Sequence, residues 1–265
     1  MSDAIFLRDG ERFVPTDLAR GPWTPQAQHG GAPAALLAYA VERFQGGESM
    51  FVARLTIELL RPVPIAPLTI STHFTRPGRK VQLVEASLFS GDTEVARCTG
   101  LRIRRAEIQL PADLPHAAPP PGPDSGAYNL PPWSDAIDYK AFHSCAVEHR
   151  FVAGSFEQPG PATDWIRLRV PLVDGEETSP LCRVAAAADF GNGVSWVLNR
   201  SDGYSFINPD LTIYLHRVPA GEWVCLEAST WVQPQGLGLA ESALYDEHGL
   251  IGRALQSLIV EQTDR

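Results

Sequence analysis

A handful of positions in this chain carry side chains that could do chemistry, and each also has an ordinary structural explanation. Asp189 closes the run Ala185-Ala-Ala-Ala188. A carboxylate in so apolar a segment is paired, protonated or functional, or else it caps a turn before Phe190-Gly191-Asn192-Gly193. Gln256 shares a strand face with Ala254, Leu258 and Val260, so its amide lies on an apolar stripe and needs a partner. Asn208-Pro209 reads most naturally as a turn into the strand that follows. Gly30 and Gly31 stand just ahead of a helix, where backbone N–H groups are free to meet negative charge and missing side chains admit a close approach. His29 beside them either touches a ligand or simply belongs to the loop. A carboxylate that orients water, together with donors for an oxyanion, is the equipment of hydrolysis at an activated carbonyl.

Those positions lie far apart, so the elements that carry them matter. The chain repeats itself. Leu55-Thr-Ile-Glu-Leu-Leu-Arg61 resembles Leu211-Thr-Ile-Tyr-Leu-His-Arg217 at an offset of 156 residues, and Glu85, Leu88, Phe89 and Arg97 then fall on Glu241, Leu244, Tyr245 and Arg253. Around Phe74-Thr-Arg-Pro77 and Trp231-Val-Gln-Pro234 the offset becomes 157, a one-residue indel. Each copy opens with an uncharged small-residue stretch and continues with strand-like runs. In the first, a helix is expected to open at Pro33 and runs without charge to Val41; in the second, Ser179-Pro180 caps a helix that is chargeless from Val184 to Ala188. A helix apolar on every side has to be surrounded. The alternation in Leu211–Leu215 and the Trp, Val, Thr and Cys of Glu222–Trp231 are β in character. The fold expected is therefore α+β, with two units at 1–108 and 135–265, each an antiparallel sheet wrapped around a central helix, joined edge to edge about a pseudo-twofold axis. The proline-rich segment 109–134, densest from Leu110 to Trp133, links them. The alternative is two unrelated α+β domains.

Composition narrows the function. Hydrophobic residues make up 44% and charged residues 20%, which is globular, and the net charge of −9 argues against a broad nucleic-acid-binding face. A few local cations could still hold an anionic ligand. Met1–Phe13 has no basic segment followed by an apolar run, and no stretch approaches the length of a membrane span. Cys98, Cys145, Cys182 and Cys225 are scattered without a CxxC pair, as expected of reduced thiols in the cytoplasm.

The arrangement resembles the hotdog fold, and its tandem form resembles the acyl-CoA thioesterase II (TesB-like) family. The residues that carry the resemblance are Gln28-His-Gly-Gly-Ala-Pro-Ala-Ala-Leu37, Ala186-Ala-Ala-Asp-Phe-Gly191, Pro209-Asp-Leu-Thr-Ile-Tyr-Leu-His-Arg217 and Arg253-Ala-Leu-Gln-Ser257. The resemblance implies hydrolysis of fatty acyl-CoA to free acid and coenzyme A, with no cofactor or metal. In that family a carboxylate on the second helix, a hydroxyl or amide before the Asp-x-Thr/Ser strand and a glutamine in the last strand hold the hydrolytic water. Carried over, these are Asp189, Asn208 and Gln256, with Asp189 deprotonating the water. Asn208 is a departure, since threonine or serine is usual there; its amide can also donate and accept. His29, Gly30 and Gly31 are the substrate-binding candidates, with Phe190 and Trp196 as walls of an acyl tunnel, although a tryptophan placed like Trp196 is more often core than pocket. A homodimer or larger assembly is expected.

Other motifs lack parts that their chemistry needs. A Gly-x-Ser-x-Gly elbow is missing, so a serine hydrolase is not supported. His143, Cys145 and His149 fall in a segment read as strand, without a second ligand cluster for a metal. Gly191-Asn-Gly193 and Gly236-Leu-Gly238 lack the third glycine of a dinucleotide fingerprint. An enoyl-CoA hydratase of the hotdog type needs Asp-x-Asn-Pro-x-His, and here Phe206 and Leu211 occupy its two catalytic positions. A non-catalytic acyl-CoA-binding protein is the remaining rival, with Asn208 as the feature in its favour.

Overall fold

The computed structural model describes residues 3–262 other than 112, 115, 116 and 133, so Trp133 and part of the proline-rich segment lie outside the described residues. The first half contributes β1 (Phe6–Asp9), β2 (Arg12–Pro15), α1 (Gly31–Arg43), β3 (Met50–Leu59), β4 (Leu68–Arg76), β5 (Val81–Ser90) and β6 (Thr93–Arg104). The second contributes β7 (Ala127–Tyr128), β8 (Val147–Ala153), β9 (Ala162–Leu168), α2 (Pro180–Ala188), α3 (Gly191–Val194), β10 (Tyr204–Ile207), β11 (Asp210–Leu215), β12 (Val224–Gln233), β13 (Leu237–Asp246) and β14 (Gly249–Gln262). The strands form one continuous sheet in the order β1-β2-β4-β5-β6-β3-β11-β14-β13-β12-β9-β8-β7, with β10 also on β14.

The repeat found in the sequence sits at the centre of that sheet. β3 and β11 pair antiparallel, with Leu55 opposite Ile213, Thr56 opposite Thr212 and Ile57 opposite Leu211. Thr56 and Thr212 are repeat equivalents, so the local twofold passes between them and the two half-sheets join edge to edge. Joining them removes one exposed edge from each half, where unpaired N–H and C=O groups would otherwise lie open.

The chargeless helices are buried as their composition requires. α1 packs on β3, β4, β5 and β6, α2 packs on β9, β11 and β12, and the helices pack on each other. Ala32, Ala34–Ala38 and Val41 of α1, and Leu181, Cys182 and Val184–Ala188 of α2, are all buried. α1 starts two residues before Pro33, with Gly30 as its N-cap. Pro33 costs little there, because N–H groups of a first turn have no intrahelical acceptor to lose. α2 begins as expected, Ser179 Oγ accepting the N–H of Cys182 with Pro180 at the first position.

The segment read as strand around His143 is different. Phe142–Ala146 forms a single π-helical turn, and β8 begins only at Val147. The turn places Phe142, His143 and Ala146 in the interior. Tertiary packing, which local pattern does not encode, favours that conformation over extension.

At the far end of α1 the fully buried Arg102 of β6 donates to the carbonyls of Val41, Phe44 and Gln45 and to Oε1 of Gln82. It takes the place of a C-cap, satisfying carbonyls that no further helical turn would reach. No helix among the described residues is long and apolar enough to cross a membrane.

Candidate active site

α2 ends at Ala188, and Asp189 is its C-cap residue in αR conformation. The cap explanation is thus true of the backbone, but the side chain does something else. Its carboxylate is 5% exposed and collects partners from three other elements. Asn208 donates Nδ2–H to Asp189 Oδ1 at 2.8 Å, and Gln256 donates Nε2–H to the same oxygen at 3.3 Å and to the Asp189 carbonyl at 3.1 Å. His29 Nδ1 stands 3.0 Å from Asp189 Oδ2. Residues 19, 67 and 160 positions from Asp189 meet at one carboxylate.

Each partner is delivered by a feature of its own segment. Asn208-Pro209 lies between β10 and β11, which pair with different stretches of β14: Tyr204–Ile207 with Ile259–Gln262, and Thr212–Leu215 with Gly252–Leu255. Pro209 has no N–H to continue a ladder, so pairing breaks there. Gln256 lies on β14 opposite that break. Its amide is used in full, since its Oε1 accepts the N–H of Asn192 at 3.1 Å. Gln256, 2% exposed, therefore has the partners that its apolar stripe demanded. Gly191 supplies room for it: a Cβ at Gly191 would come within 2.9 Å of Gln256 Oε1.

The start of α1 faces the end of α2. A Cβ on Gly30 would lie 2.8 and 2.9 Å from the two Asp189 oxygens, and a Cβ on Gly31 would lie 2.6 Å from the carbonyl oxygen of Ala186. Both glycines are needed for close approach, Gly30 to the carboxylate and Gly31 to the backbone of α2. The His29 ring is held by aromatic neighbours, 5.0 Å from Phe142 in a stacked arrangement and 4.6 Å from Phe190.

Asp189, Asn208, His29 and Gly30 border a cavity of about 730 Å³ whose other walls include Trp23, Phe156, Phe190, Trp196, Leu198 and Phe206. Phe190 and Trp196 thus line it together, and the indole N–H of Trp196 is tied to the Phe156 carbonyl at 3.1 Å. Gly31 and Gln256 stand behind this lining and hold the groups in front of them.

Sequence reasoning did not anticipate the layer beneath. His149, fully buried, pairs through Nδ1 with the equally buried Asp164 Oδ2 at 2.6 Å, and its ring meets Phe190 edge-on at 4.8 Å. Burial raises the Asp164 pKa above the usual carboxylate range, more than the neighbouring imidazole lowers it. His143 lies near Ser134, its Nε2 3.3 Å from the serine Oγ. Burial, helped by the nearby His29 and His149, pushes the His143 pKa down to about 3. The alternating β8 pattern that faces His149 inward was the available signal; nothing in the sequence pointed to Phe142. Among the described residues no group of three or more His, Cys, Asp or Glu side chains is placed to hold a metal ion.

Two helix-bearing half-sheets joined through equivalent strands, with a polar cluster where the helix ends meet, define a double hotdog protein. The model of the acyl-CoA thioesterase N-terminal domain matches residues 19–103 and that of the C-terminal domain matches residues 111–260. The chain belongs to this TesB-like acyl-CoA thioesterase family. Its fold is shared with acyl-CoA thioesterase II TesB2 of Mycobacterium marinum, at a TM-score of 0.65 and 15% identity over 97% of this chain and 94% of that one. The tesB protein of Mycobacterium avium subs paratuberculosis gives 0.67 and 16% over 97% and 96%. A conserved hot dog protein of unknown function from Alicyclobacillus acidocaldarius gives 0.72 and 15% over 98% and 96%. Among curated proteins no sequence matches this one.

Proposed function

We propose that this protein hydrolyses fatty acyl-CoA to free fatty acid and coenzyme A, with Asp189, Asn208 and Gln256 as the polar centre that positions the hydrolytic water. Family membership supports the reaction class. The observation that carries the reading is the shielded Asp189 carboxylate, tied to Asn208 and Gln256, beside a cavity with aromatic and aliphatic walls. Apolar walls suit an acyl chain, whose transfer from water contributes about 0.8 kcal/mol per buried methylene. A thioester carbonyl next to Asp189 and Gly30 would have a polarised water on one side and backbone donors at the start of α1 on another.

One observation favours the rival binding-only reading. Asn208 is bonded directly to the carboxylate, where the hydroxyl usual in this family is shorter, and so occupies an acceptor site that a water could use. Release of free thiol from acyl-CoAs of graded chain length separates the two. Turnover is the expected result; saturable binding without thiol release would assign the protein to acyl-CoA binding.

A further inference from the structure

The start of α1 offers fewer donors than an ordinary helix N-terminus. The Gly31 N–H is spent on His29 Nδ1 at 3.1 Å, the Ala32 N–H on the His29 carbonyl at 3.0 Å, and Pro33 has none to give. Among the described residues the Gly30 N–H has no acceptor, which makes it the donor left at that end. An oxyanion formed at a carbonyl beside Asp189 is stabilised by donors that converge on it and are fixed in advance. A partner for the Gly30 N–H has to come from another element.

The amides that border the cavity narrow the choice. Asn208 gives its Nδ2–H to Asp189, and Asn199 is an exposed turn residue whose Oδ1 accepts the N–H of Ser201. Asn192 is different. It borders the cavity with Asp189 and Gly30, its side chain makes no hydrogen bond among the described residues, and its Oδ1 is buried without a partner. Its backbone, by contrast, is fixed. The Asn192 N–H donates to Gln256 Oε1 at 3.1 Å while Nε2 of the same amide holds Asp189, so one side chain of β14 ties both residues down. Asp189 and Phe190 have αR backbone and α3 begins at Gly191, which sets Asp189 and Asn192 three residues apart on one helical face. Cβ atoms so related lie about 5–6 Å apart. A buried polar atom with no protein partner calls for another role, and the Asn192 amide has none in holding the fold.

We propose that Asn192 is a catalytic residue whose Nδ2–H, together with the Gly30 N–H, donates to the carbonyl oxygen of the acyl-CoA thioester. The proposal rests on the thioesterase reading above. The oxygen of the attacking water bonds to the carbonyl carbon while its proton passes to Asp189, and the π electrons of the carbonyl move onto oxygen, where the two donors meet the new charge. When those electrons return, the C–S bond breaks, the thiolate of coenzyme A leaves, and the proton on Asp189 passes to that thiolate or to solvent. Asn192 exchanges no proton. Its contribution is a fixed dipole, anchored through its own backbone to the glutamine that also anchors the carboxylate.

The test uses the full-length protein and its Asn192→Ala and Asn192→Asp variants, the second of which keeps the size and the acceptor but removes the donor. Two quantities are read: kcat for an acyl-CoA that the wild type hydrolyses, and Kd for the thioether analogue in which a methylene replaces the carbonyl, so that its binding is blind to an oxyanion donor. The expected result is a kcat loss on the order of 10²-fold or more in both variants, with Kd within about threefold of wild type. Retention of kcat in either variant would overturn the proposal. So would a loss expressed in Kd, which marks a residue that binds the pantetheine arm or the acyl chain. If Asn192→Ala does not fold, the near-isosteric Asn192→Asp carries both comparisons. A wild-type protein that binds the thioether and releases no thiol from acyl-CoAs would instead refute the thioesterase reading, and this proposal with it.

Discussion

Asn208 Nδ2 lies 2.8 Å from Asp189 Oδ1, a side-chain bond between the break in the β10–β11 edge and the C-cap residue of α2. This contact, with Gln256 on the same oxygen, makes the three side chains one unit. Asp189→Asn is expected to keep the fold and acyl-CoA binding but to lower kcat on the order of 10²-fold or more. Asn208→Ala and Gln256→Ala are expected to cost less singly, and the triple variant to fall short of the summed effects because Asn208 and Gln256 both bond the Asp189 carboxylate. Steady-state kinetics on the singles and the combination check this; full additivity would mean independent roles.

The two glycines before α1 separate activity from stability. In Gly30→Ala the new methyl meets the tip of Asp189 at 2.8–2.9 Å, so the carboxylate turns aside and kcat falls while the melting temperature changes little. In Gly31→Ala the methyl meets the backbone carbonyl of Ala186 at 2.6 Å, which no rotamer change relieves. Overpacking of that kind costs about 1–3 kcal/mol. Thermal melts and kcat measured on both variants should show opposite patterns; equal melting temperatures would refute the distinction.

Acid sensitivity follows from His143. Its pKa is lowered to about 3 by burial and by His29 and His149, against an ordinary histidine value near 6.5 in the unfolded chain. Between those values the unfolded state binds a proton that the native state refuses, so stability falls as pH drops from 6.5 toward 3 and levels off below that. The contribution is on the order of 3 kcal/mol by pH 4. His143→Gln, which keeps a polar group without titrating, should flatten this part of the stability–pH curve in urea titrations. An unchanged curve would show that other groups dominate.

Arg102 is the main buried charge that holds no carboxylate. Its guanidinium is satisfied by three carbonyls at the end of α1 and by Gln82, although burial disfavours its charged form. Arg102→Met leaves those acceptors unpaired in the interior and is expected to destabilise by about 3 kcal/mol or more. Arg102→Lys should recover only part of this, because a single ammonium cannot reach the carbonyls and Gln82 together. Chemical denaturation of both variants measures the loss; a change under about 1 kcal/mol in Arg102→Met would mean that water satisfies the cap.

Much of the architecture is legible in residue order because its causes are local or repeated. Chargeless stretches at Pro33–Val41 and Val184–Ala188 call for buried helices, and the 156-residue register that equates Leu55 with Leu211 marks as equivalent the two strands that the structure pairs at the centre of the sheet. The site is a different matter. Only family resemblance groups Asp189, Asn208 and Gln256, and no periodicity links positions so far apart. His29 reads as a loop residue until the start of α1 is packed against the end of α2. Phe142 reaches it only through a π-helical turn that looks like strand in the sequence. Local patterns report which face of an element is apolar. The meeting of a carboxylate with three side chains from other elements depends on how those faces dock, and the free energy of docking resides in contacts between segments that no single stretch of sequence contains.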